Sequence, residues 1–156
     1  MIEPAVFKNV IAVPPTLLAW AEKEHRTTYE EWGFDDSLTF AGKMGGQFGP
    51  VAPHIDADVP SQHCVWGLVL VSEGHRLITS GFEADLSAGD LYRLDPLDYH
   101  GTDTAVPDGR IIFAALDRPA AGDALSEAEI AAAIVESCEA EIALLAARAT
   151  AYTLAG

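Results

Sequence analysis

The sequence predicts a mainly β fold, a double-stranded β-helix or jelly roll, with a short helix before it and a long amphipathic helix after it. Three observations carry that expectation. From about residue 37 to residue 117, short apolar-rich segments alternate with turn residues at roughly eight- to twelve-residue spacing, as in sandwiches and jelly-roll barrels. Cys64–Val71, CVWGLVLV, is a nearly continuous apolar run, the pattern of a strand buried on both faces. After Ser126 the period changes, and Ile130, Ile134, Cys138, Ile142, Leu145 and Ala149 recur at helical steps.

In chain order, Val6–Val13 reads as a strand stopped by Pro14-Pro15, and TLLAWAEKEH as a short helix from near Thr16. Leu17, Leu18, Trp20 and Ala21 give that helix its apolar side, and His25 near its end meets the negative pole of the dipole. After the linking stretch TTYEEWGFDD a strand is expected at Ser37–Ala41. Gly42, Gly45, Gly46 and Gly49 then suggest turns or bulges before a strand carrying His54. Further strands are expected in HRLITSGF, in EADLSAGDLYRLD on either side of a turn at Ser87–Asp90, near His100–Ala105, and in RIIFAAL beyond the turn Pro107-Asp108-Gly109. Ser126 and Glu129 form a capping box that starts the last helix, about 126–150. Its glutamates face water. Its apolar stripe is expected to cover the sheet, the alternative being contact with a second copy in a homo-oligomer. Phe40 and Phe48 read as packing residues, and His63 and His75 as solvated.

A chain of 156 residues is most simply one domain, residues 1–156, long enough for its own core. No stretch approaches the roughly 18 apolar residues of a membrane span. MIEPAVFKNV lacks the basic and apolar regions of a signal peptide, so a cytoplasmic location is the default. Cys64 and Cys138 stand far apart without CxxC partners and read as small buried hydrophobes of a reducing compartment. The net charge of −15 comes from 24 acidic residues against nine Lys and Arg scattered singly. Polyanions need clustered cations, so neither nucleic acid nor an anionic membrane is an expected partner.

The chemistry points to four residues. In PHIDADV, His54 and Asp56 are two positions apart, which on a strand places both side chains on one face. With a distant His100, in YHGTD, they make a set of two histidines and one carboxylate. Such a facial triad suits Fe(II) and leaves positions open for oxygen and a co-substrate. Arg110 follows ten residues after His100, and its guanidinium is a rigid fork suited to a carboxylate.

From about Leu38 to Leu116 the order HxD, buried strand, GDL turn, His-Gly and an Arg ten residues on resembles the Fe(II)- and 2-oxoglutarate-dependent oxygenases, particularly the prolyl-hydroxylase-like branch. The resemblance implies His54, Asp56 and His100 as iron ligands and Arg110 as the partner of the distal carboxylate of 2-oxoglutarate. It implies hydroxylation of an unactivated C–H bond of a small molecule or peptidyl side chain, with O2 consumed and succinate and CO2 released. Tyr92, Thr39 and Thr102 are candidates for a second carboxylate partner. Trp66 and Tyr92 are candidates for the substrate pocket, Trp66 having a core position as its other reading. Two other functions fit the same fold: a cupin-like metal enzyme that needs no keto acid, and a non-catalytic jelly-roll binding module.

Overall fold

A computed structural model describes residues 2–25, 32–33, 42–57, 59–60, 62–120 and 125–155. The chain runs β1 (Ala5–Phe7), α1 (Pro15–His25), β2 (Trp32–Gly33), β3 (Gly42–Phe48), β4 (Val51–His54), β5 (His63–Ser72) and β6 (His75–Thr79). It continues with β7 (Glu83–Asp85), β8 (Leu91–Leu94), β9 (His100–Thr104), β10 (Arg110–Pro119) and α2 (Glu127–Ala155). The expected strand at 37–41, with Thr39 and Phe40, lies outside the described residues.

Two antiparallel sheets form the jelly roll: six strands in the order β1-β8-β5-β10-β3-β2, and four in the order β4-β9-β6-β7. One apolar cluster joins the sheets, with Val69, Leu94 and Ile111 from the larger and Leu77 from the smaller. A second cluster joins the outer face of the larger sheet to the helices, with Leu68, Leu70, Ile112 and Ala114 against Leu17, Ala21, Ile130, Ile134 and Cys138. The molecule is thus layered as helices, sheet, sheet. This arrangement explains the unbroken apolar run of β5, because successive residues alternate between two buried layers. Relative to β10, β5 carries one extra residue, since Ile112 pairs with Val71 but Phe113 with Val69.

Three expectations change. The glycines at 42, 45 and 46 do not make turns; they sit inside β3, which pairs with β10 along its whole length, so the backbone ladder overrides their weak strand preference. Gly49 alone marks the turn, with φ +78°. Phe48 is not a packing residue, being 57 % exposed at the end of β3. In α2, the capping box forms as read: Ser126 Oγ accepts the Glu129 N–H at 3.2 Å, and Glu129 Oε1 accepts the Ser126 hydroxyl at 3.0 Å. Only the first half of α2 covers the sheet, however. Ile142 is partly buried against the core, and Leu145 and Ala149 beyond it are exposed. Cys64 and Cys138 are both buried free thiols, as expected. Among the described residues, no helix is long and apolar enough to cross a membrane.

Candidate metal centre

His54 closes β4 and His100 opens β9, and the two are register partners across the antiparallel pair. Gly101 lets the strands come this close: a Cβ there would lie 2.4 Å from the Val51 carbonyl oxygen. Two residues on, Thr102 Oγ1 accepts the Val51 N–H at 3.1 Å and lies 2.8 Å from His75 Nδ1. The His75 Nε2–H donates to the Gly109 carbonyl at 2.7 Å, which leaves Nδ1 to accept from the threonine hydroxyl. His75 is therefore no solvated histidine. It is 1 % exposed and ties β4, β9 and the turn before β10 into one unit. His63 is also partnered, with Nδ1 2.9 Å from Asp117 Oδ2.

Asp56 stands beyond the end of β4 rather than within it, its N–H held by the Pro96 carbonyl at 2.8 Å. Its carboxylate still reaches both imidazoles. Oδ1 is 3.6 Å from His54 Nε2, and Oδ2 is 3.2 Å from His100 Nε2. One donor atom from each of the three lies within 4.8 Å of the others. Neighbouring donors around an ion with bonds of about 2.1 Å stand roughly 3.0–3.4 Å apart, a spacing that the His100–Asp56 pair meets at 3.2 Å and the His54–Asp56 pair approaches at 3.6 Å.

The tautomers fit as well. His54 Nδ1 lies 2.8 Å from the Ala52 carbonyl, and His100 Nδ1 2.8 Å from the Asp98 carbonyl. A carbonyl only accepts, so each Nδ1 carries the hydrogen and each Nε2 presents a lone pair when the ring is neutral. That outer contact orients a metal-binding imidazole. Burial of the His100 ring works against its charged form. The hydrogen bond to Asp56, then the Asp98 carbonyl and the charges of both carboxylates, outweigh it and raise the pKa above the ordinary histidine value. The three side chains grade from exposed to buried: His54 46 %, Asp56 33 % and His100 9 % exposed.

They sit on a cavity of about 110 Å³ between the sheets, walled by Val51, Leu77, Leu86, Leu94, Ile111 and Phe113, with Tyr92, Gly101 and Thr102. Tyr92, a candidate pocket residue, is among these, its ring edge-on to Phe113. Burial, reinforced by the charge of Asp56, pushes its phenol pKa up, so the hydroxyl keeps its proton. Thr102 is here too, with its hydroxyl engaged by Val51 and His75.

Two candidates lie elsewhere. Trp66 takes its core position: it belongs to the cluster facing the helices, stacked at 6.0 Å on Phe7 and covered by the Arg93 guanidinium. Arg110 is not brought to the other three. Along β10, Ile111 and Phe113 face the cavity, while Ile112 and Ala114 face the helices. Alternation puts Arg110 with the latter, where Nη2 meets Glu22 Oε1 of α1 at 3.1 Å and Nε lies 3.4 Å from Glu73 Oε1.

No protein-family model and no curated protein matches the chain. Solved structures of similar shape include a cupin protein from Bacteroides fragilis, 17 % identical, with 66 % of this chain and 87 % of that one aligned at a TM-score of 0.47. Another is a cupin-2 domain-containing protein from Shewanella frigidimarina, 16 % identical over 64 % of this chain and 92 % of that one, TM-score 0.45. A third is the DMSP lyase DddQ from Ruegeria pomeroyi, 16 % identical over 55 % of this chain and 41 % of that one, TM-score 0.41. None of these likenesses is close enough to carry a function.

Proposed function

We propose that this chain is a mononuclear metal enzyme of the cupin type, acting on a small molecule held between its two sheets. One observation carries this reading: two imidazoles and one carboxylate converge at a cavity, with both Nδ1–H groups fixed on backbone carbonyls so that both Nε2 atoms point at the carboxylate. His54 and His100 would hold the ion through Nε2, and Asp56 through its carboxylate. Fe(II) suits this donor set, and a bound ion would supply Lewis-acid polarisation of a substrate oxygen and, if iron, reaction with O2. The protein's part is orientation and dryness. Tyr92 presents a protonated hydroxyl in the wall, and the leucine and isoleucine side chains exclude water from the substrate.

The Fe(II)- and 2-oxoglutarate-dependent hydroxylase is the narrower form of this reading, supported by the triad. Its carboxylate anchor, Arg110, is paired with Glu22 and Glu73 on the far side of β10. The form that needs no keto acid is therefore better supported.

Anaerobic calorimetric titration of metal-free protein with Fe(II) tests the proposal. One ion should bind per chain, and Asp56→Ala should abolish binding while the protein stays folded. A folded wild type that takes up no metal would leave only the non-catalytic binding module. Succinate released in proportion to added 2-oxoglutarate would restore the narrower form.

A further inference from the structure

We infer that the substrate of this site carries one anionic or neutral oxygen head for the metal and an otherwise uncharged, apolar body. This rests on the metal-centre reading. Two neutral imidazoles and one carboxylate around a divalent ion leave a net charge of about plus one, which a single anionic oxygen group neutralises. Beyond that centre nothing among the described lining residues balances a second charge, because none of them is Lys or Arg. Three arginines of the surrounding strands are engaged elsewhere. Arg76 of β6 meets Asp103 at 3.3 Å and Glu83 at 3.6 Å. Arg93 of β8 lies over the rings of Phe7 and Trp66, and Arg110 of β10 pairs with Glu22 and Glu73.

A second carboxylate on the substrate would therefore lie against Leu77, Leu94 and Ile111, all at most 3 % exposed. A charge in such surroundings without a partner is strongly disfavoured. The cavity of about 110 Å³ is in keeping with a short body of a few heavy atoms. The Tyr92 hydroxyl and the metal provide its polar contacts, and the aliphatic wall provides the rest.

The test uses two acids of matched shape. 5-Methylhexanoate carries one carboxylate and an isopropyl end; glutarate has a second carboxylate where the isopropyl group stands. Metal-free protein is first titrated with Co(II), and the Co(II)-loaded protein then with each acid, read by calorimetry and by the visible spectrum of the cobalt. We expect 5-methylhexanoate to perturb the spectrum and bind at least tenfold more tightly than glutarate or 2-oxoglutarate. Normal cobalt uptake with glutarate or 2-oxoglutarate bound as tightly as 5-methylhexanoate would overturn the inference and leave the metal site standing. Loss of that diacid binding in Lys43→Ala, the β3 residue paired with Ala115, would locate the unforeseen cation and overturn it equally. No cobalt uptake would remove the metal centre and the inference together.

Discussion

His54 and His100 face each other as partners across β4 and β9, their ring centroids 4.5 Å apart, and each fixes its Nδ1 on the carbonyl two residues before it. The same local device on two strands aims both Nε2 atoms at Asp56. Metal affinity should therefore depend on all three residues, but unequally on their surroundings. His100→Ala, His54→Ala and Asp56→Ala should each lower affinity by more than the roughly 10–100-fold that loss of an outer-shell partner costs. Thr102→Val, which breaks the link from Val51 to His75, should fall within that lower range. Calorimetry with Fe(II) or Co(II) on the folded variants measures both. Equal effects in all four would mean that the site senses overall stability rather than these ligands.

The strand periodicities, the capping box and the two-faced burial of β5 were legible because each rests on local patterning that tertiary packing then reinforces. His54, Asp56 and His100 were legible because the HxD spacing keeps the two groups together even past the end of β4. The side of β10 that Arg110 takes was not. RIIFAAL is apolar at both parities, since one face meets the cavity and the other the helices, so nothing within the strand says which face position 110 shares. The same two-sided burial hid the choice for Trp66. His75 was misread because a histidine after a glycine turn resembles a surface residue, and its partners Thr102 and Gly109 are more than 25 positions away.

Gly67 pairs with Tyr92, and the tyrosine ring lies directly across it. A Cβ on Gly67 would fall 1.9 Å from Tyr92 Cζ and 2.2 Å from its hydroxyl oxygen. Gly67→Ala should thus push Tyr92 out of the cavity wall and destabilise the fold by about 1–3 kcal/mol, the usual cost of overfilling a core. In the double variant with Tyr92→Ala the clash has no partner, so the two effects should be clearly non-additive in urea unfolding. Simple addition would show that the ring already has room to move.

Asp90, read from the sequence only as part of a turn, is a buried hub at 1 % exposure. Its carboxylate accepts the N–H of Asn9 and of Ser87, each at 2.8 Å, and meets the Lys8 ammonium. Asn9 is held at φ +52° by this contact. Asp90→Ala strands two backbone donors, each costing about 1–3 kcal/mol, and should cost about 3–5 kcal/mol in all. Lys8 is half exposed and its removal leaves both N–H bonds in place, so Lys8→Ala should cost less, about 1.5–3 kcal/mol at most. Chemical denaturation of the two variants decides. A loss below 1 kcal/mol for Asp90→Ala would show that the segment before α1 is held by other contacts.

Cys138 lies fully buried on the sheet-facing side of α2, and burial, with the charge of Glu139 adding to it, pushes its pKa from 9.0 up to about 12. Between those values the unfolded chain releases the thiol proton and the folded chain keeps it. The unfolded state then binds fewer protons, so the stabilising contribution is complete below pH 9 and falls as pH rises, by up to about 1.4 kcal/mol per unit for one group. Other groups titrate in the same range, so the readout is a difference: the stability gap between wild type and Cys138→Ala should be flat from pH 7 to 8.5 and narrow from pH 9 to 10.5. Thiol-directed labelling of the native protein at pH 8 should be slow and become fast on unfolding. A gap that stays constant through pH 10.5, or rapid native labelling, would mean that this part of α2 opens readily from the sheet.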